Sequence, residues 1–145
     1  MPIIRPSASK AWGGIRVASR SSFEGAFQAA WQDYLRAAVS EEVLGGDWDK
    51  SLADLLRAIE PTDLGRFAPF ISMCQLCLAT SKYPWEEVKP ALVEFYPPEQ
   101  YHFRYRVMSG SRYPAPGETT AITLETNDPV AATQELVRLV LGTPG

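Results

Sequence analysis

The spacing of apolar residues changes from a helical to a strand period at Pro97-Pro98, and no other feature of the chain limits its fold so strongly. Before the switch, Phe23, Phe27, Ala30, Trp31, Tyr34, Leu35, Ala38 and Val39 recur at three- and four-residue steps. This predicts an amphipathic helix over about 22–40, opened by Ser21 and Glu24 as a capping box. Leu52, Leu55, Leu56 and Ile59 predict a second helix over 51–60, stopped by Pro61. Phe67, Phe70, Ile71, Cys74, Cys77 and Leu78 give a third helical stripe after a cap at Thr62 or Asp63, with Pro69 starting or kinking it. A fourth helix is expected from Pro84 toward Phe95, with a break at Lys89-Pro90.

After the switch, Tyr101, Phe103, Tyr105 and Val107 alternate with His102, Arg104, Arg106 and Met108, the pattern of a half-buried strand. Residues 119–126 place Ile122 and Leu124 on one face of a second strand, across a Gly- and Pro-rich loop at 109–118. Asp128-Pro129 opens a last helix with Val130, Thr133, Leu136, Val137 and Val140 facing inward, and Gly142 ends it. Segregated helices and strands predict an α+β domain of four to five helices packed on a small, mainly antiparallel β-sheet. Ile3-Ile4 and 15–18 add a β-hairpin or extended arm within 1–20.

With 145 residues, 46% of them hydrophobic and 21% charged, the chain can bury a core by itself, and 1–145 reads as one globular domain. The N-terminus lacks the apolar run of a secretory signal, and no stretch is long and apolar enough for a membrane span. Two cysteines make no disulfide framework, so a soluble, cytoplasmic protein is expected. A net charge of −3 gives no reason to expect nucleic acid. The charge is uneven, however, with nine acids against three bases in residues 21–63.

That acidic region supplies the first candidate surface. Glu41, Glu42, Asp47, Asp49 and Asp54 form an acidic segment with Trp48 inside it, and an aromatic anchor ringed by charge suits docking of a basic protein. The competing reading is a solvated connection whose carboxylates favour the next helix N-terminus. A calcium loop would need a central glycine and terminal glutamate that do not follow Asp47 and Asp49 at the required spacing. The second candidate is the strand 102–106. There His102, Arg104 and Arg106, with Arg112 and Tyr113 in the following loop, could hold an anionic substrate or stack on single-stranded RNA. The structural alternative is the wet face of an ordinary amphipathic strand.

Neither metal nor cofactor is expected. Cys74-x-x-Cys77 is half a zinc knuckle without further ligands, in a stretch that reads as apolar core. Glu86-Glu87 point in different directions on a helix and cannot jointly flank a substrate. No nucleophile elbow or phosphate-binding Gly-rich loop occurs, so triad chemistry and nucleotide binding lack local support.

The residues therefore favour a small protein-binding module, such as an inhibitor, an immunity- or antitoxin-like protein or an assembly adaptor. A small enzyme or ligand-binding domain with a pocket at His102/Arg104/Arg106 is the alternative. Dispersed tryptophans, at 12, 31, 48 and 85, would also serve a homodimer contact.

Overall fold

The fold comes from a computed structural model, which describes residues 20–79, 88–110, 116–117 and 120–142. The arm expected within 1–20 lies outside the described residues up to Arg20, as do Trp12, Trp85, Arg112, Tyr113 and the expected helix start at Pro84. Helix α1 spans Arg20–Val39 and helix α2 spans Gly46–Ile59. A short 3₁₀ turn, Asp63–Arg66, follows, opened by the Thr62 hydroxyl accepting from the Leu64 amide. The chain then forms strands β1 (Ala68–Ser72), β2 (Gln75–Ala79), β3 (Val88–Phe95), β4 (Tyr105–Ser109) and β5 (Ala121–Thr126), and ends in helix α3 (Pro129–Leu141).

The class is α+β, with a five-stranded antiparallel sheet in the order β1-β2-β3-β4-β5. It has three α-helices among the described residues, not the four to five predicted. The third predicted helix and the described part of the fourth are strands. The apolar stripe from Phe67 to Leu78 folds as the β1–β2 hairpin, because positions three and four apart in a helix are equally well read as two short runs around a turn. Pro69 would remove a hydrogen bond inside a helix but is tolerated on β1, an edge strand. The stretch leading to Phe95 is β3. Its Pro90 falls where the β2–β3 register shifts between Cys77 and Ala79, so the missing amide lies in an irregularity rather than in a regular ladder.

One row of side chains, Ile71, Leu76, Val93, Val107 and Leu124, crosses all five strands in register. It packs with Trp31, Tyr34, Leu52, Leu55, Leu56, Ile59, Ala132 and Leu136 from the helices into one core. The Trp31 indole donates to the Phe67 carbonyl at 2.8 Å, which ties α1 to the start of the hairpin. The predicted inward set on the last strand is half right. Leu124 lies opposite buried Val107, but Ile122 lies opposite Met108, since the register shifts there and Thr123 is the extra residue. The bulge turns Ile122 to the other face, where it is 52% exposed. Asp128 caps α3 through its carboxylate to the Val130 amide at 2.9 Å, with Pro129 in the first turn. Val130, expected inside, is exposed, and Ala132 takes the buried position.

Candidate functional site

Helix α2 begins five residues before the predicted start, which places Asp47, Trp48 and Asp49 in its first turns rather than in a loop. Gly45 and Gly46 permit this entry, with φ of 89° and 55° that side-chain-bearing residues rarely adopt. Asp49 then reaches back over the turn. Its Oδ2 accepts from the Val43 amide at 2.8 Å, and its Oδ1 accepts from Leu44 at 2.8 Å and Gly45 at 3.1 Å. Asp49 is fully buried, so its carboxylate locks the α1–α2 connection and has no surface to offer a partner. This corrects its sequence-based assignment. Glu41, Glu42 and Asp47 are exposed, and Trp48 is half-buried.

Pro97 and Pro98 end β3, and the Tyr96 amide donating to the Arg104 carbonyl at 2.8 Å closes the loop between them. This loop carries the aromatics onto Trp48. Tyr96 and Tyr101 lie 4.9 Å apart between ring centroids, Trp48 is 5.9 Å from Tyr96 and 6.1 Å from Tyr101, and Phe103 stands edge-on to Tyr96 at 5.3 Å. Tyr101, which the alternation placed on the inner face of a strand, precedes β4 and is 50% exposed. The two surfaces that the sequence suggested as rivals therefore meet. Trp48 of one joins the loop leading into the other.

The arginines of that strand are already neutralised. Arg104 donates from Nη2 to Asp54 Oδ2 at 2.7 Å and from Nε to Ser51 Oγ at 3.1 Å, clamping the loop to α2. Arg106 donates from Nε to Glu125 at 2.9 Å, approaches Glu94 at 3.4 Å and lies 4.6 Å over the Phe103 ring. Glu94 also accepts from the Tyr96 hydroxyl at 2.9 Å and from Gln75 Nε2 at 3.0 Å. Burial and the neighbouring Glu94 carboxylate raise the Tyr96 phenol above its ordinary range, which keeps it a donor. His102 is exposed. A groove of about 250 Å³ between α1 and α2 and a wider one of about 750 Å³ beside α3 do not include His102, Arg104 or Arg106.

Cys74 occupies the β1–β2 turn and Cys77 is buried in β2, not on a helix as the spacing suggested. Among the described residues no group of three or more His, Cys, Asp or Glu side chains could hold a metal ion, and no helix is long and apolar enough to cross a membrane. The sequence reading missed Tyr96 and Tyr101 as site residues. Their signal was present in Tyr96-Pro97-Pro98, since paired prolines beside aromatics mark a loop able to hold rings at a surface. No family model, curated protein or solved structure matches the chain.

Proposed function

We propose that the chain is a protein-binding module that docks a basic protein on the aromatic end formed by Trp48, Tyr96, Tyr101 and Phe103. An inhibitor, an immunity- or antitoxin-like protein or an assembly adaptor all work in this way. The observation that carries the reading is a contrast in charge pairing. Arg104 and Arg106 are spent on Asp54, Glu94 and Glu125. The exposed carboxylates Glu41, Glu42 and Glu99 on connections, and Asp47 in the first turn of α2, have no ion-pair partner among the described residues. A half-exposed tyrosine on an aromatic base, with the exposed acids Asp47 and Glu99 close by in the chain, suits a basic surface that brings arginine or lysine stems onto the rings. With its arginines paired in this way, the strand offers little to an anionic ligand or to RNA.

The test is affinity capture from the native host with the wild-type chain and with Tyr101→Ala, Trp48→Ala and Asp47→Lys variants. A stoichiometric basic protein is expected with wild type. Its dissociation constant should rise about thirtyfold for Tyr101→Ala. Asp47→Lys should mainly slow association and flatten its salt dependence, because an exposed rim charge steers encounter. Undiminished binding by all three variants, no captured protein, or recovery only of a second copy of the chain each overturns the reading.

A further inference from the structure

Among the described residues, three non-glycine residues have left-handed backbone: Glu41 at φ 58°, Met73 at 52° and Glu99 at 65°. All three fall on connections at one end of the sheet. Glu41 lies between α1 and α2, and Glu99 in the loop between β3 and β4. Met73 lies in the β1–β2 turn, where Ser72 pairs with Gln75 and leaves Met73-Cys74 as the two turn residues. The register brings this turn beside the aromatic loop, since the Phe95 amide donates to the Cys74 carbonyl at 2.9 Å and the next residue is Tyr96.

A two-residue hairpin turn with positive φ at its first position favours glycine or asparagine, whose small or self-bonding side chains relieve the backbone strain. Methionine is a poor choice there for the fold, and at 71% exposure it gains almost nothing from its own chain's core. Its long, unbranched thioether suits an irregular apolar recess on another protein. Phe70, 36% exposed on β1, extends the apolar surface from the same hairpin.

We propose that Met73 is a second anchor of the docking surface, so that the partner presents an apolar recess opposite the β1–β2 turn beside the basic patch opposite Trp48 and Tyr101. This inference rests on the docking reading above.

The experiment compares Met73→Gly, Met73→Asn and Met73→Leu in thermal unfolding and in affinity for the protein captured by wild type. Relief of the left-handed strain should raise Tm by about 3 °C for Met73→Gly. The same variant should weaken binding about tenfold, and Met73→Leu should stay within about threefold of wild type. Stability and affinity therefore move in opposite directions, which a purely structural turn residue does not produce. A higher Tm with unchanged affinity, while Tyr101→Ala still weakens binding, overturns the second anchor and leaves the docking reading standing. Unchanged affinity in both variants, or no captured protein, removes both.

Discussion

Asp49→Ala is expected to destabilise the fold by about 3 kcal/mol, because three amide donors lose a charged acceptor and a buried side chain becomes a void. The amides of Val43, Leu44 and Gly45 converge on the two carboxylate oxygens at 2.8–3.1 Å, and among the described residues no other acceptor is bonded to them. Val43 is itself buried, so its amide cannot simply turn to water. Asp49→Asn keeps one carbonyl acceptor and should lose roughly half as much. Urea unfolding followed by circular dichroism measures both, with a lower midpoint and an unchanged slope as the expected pattern. Asp47→Lys, one turn-neighbour away and exposed, serves as the control and should shift stability by less than about 0.5 kcal/mol. A loss below about 1 kcal/mol for Asp49→Ala would show that the connection holds without its carboxylate lock.

Tyr105→Ala should be at least as damaging, at about 4 kcal/mol, since the ring is fully buried between the sheet and α2. Tyr105→Phe removes only the hydroxyl, which donates to the Ser51 carbonyl at 2.6 Å, and should lose about 1.5 kcal/mol. The pair of variants separates ring packing from the bond that holds α2 against β4. It also predicts an alkaline limb. Burial, reinforced by the Asp54 carboxylate and opposed by Arg104, raises the Tyr105 phenol above its ordinary 10.0. The unfolded chain therefore ionises first. The stability from this group is complete below about pH 10 and is lost as pH rises beyond it. Tyr34 and Tyr96 are raised in the same direction by burial, so Tyr105→Phe should flatten the fall in Tm between about pH 9.5 and 11.5 without abolishing it. Identical slopes for wild type and variant would show that Tyr105 ionises with the same ease in both states.

The two variants also show how the candidate surface is supported. Asp49 fixes the entry of α2, on which Trp48 rides, and Arg104 with Tyr105 fixes the start of β4 against Ser51 and Asp54. The aromatic end is thus held by buried and partly buried polar contacts behind it, while Tyr101 and the unpaired acids face outward. Such an arrangement presents rigid rings at low entropic loss on binding.

Trp48 was legible as a candidate because a tryptophan among acids is a local signal, and Arg104 and Arg106 because they alternate with aromatics. Their actual partners were not. Asp54 and Glu125 lie fifty and nineteen residues from the arginines they neutralise, and only the meander brings Glu94 between Arg106 and Gln75. For the same reason Asp49 read as one more surface acid. Whether a carboxylate faces water or three amides depends on how the chain turns just before it.

The sequence by itself determined those features whose physics is local. They are the long first helix, the Asp128 cap with Pro129 behind it, the stop at Gly142, and the inward pair Tyr105 and Val107 on a strand of period two. Tertiary structure decided what local preference leaves degenerate. The stretch from Phe67 to Leu78 fits a helix or a hairpin equally by spacing, and pairing of β2 with β3 selects the hairpin by joining it to the central sheet. One bulge at Thr123 then reverses which face Ile122 shows, an outcome of register that no composition encodes. The candidate site belongs to this second class, because its rings and charges come from separate connections that only the closed sheet and α2 bring together.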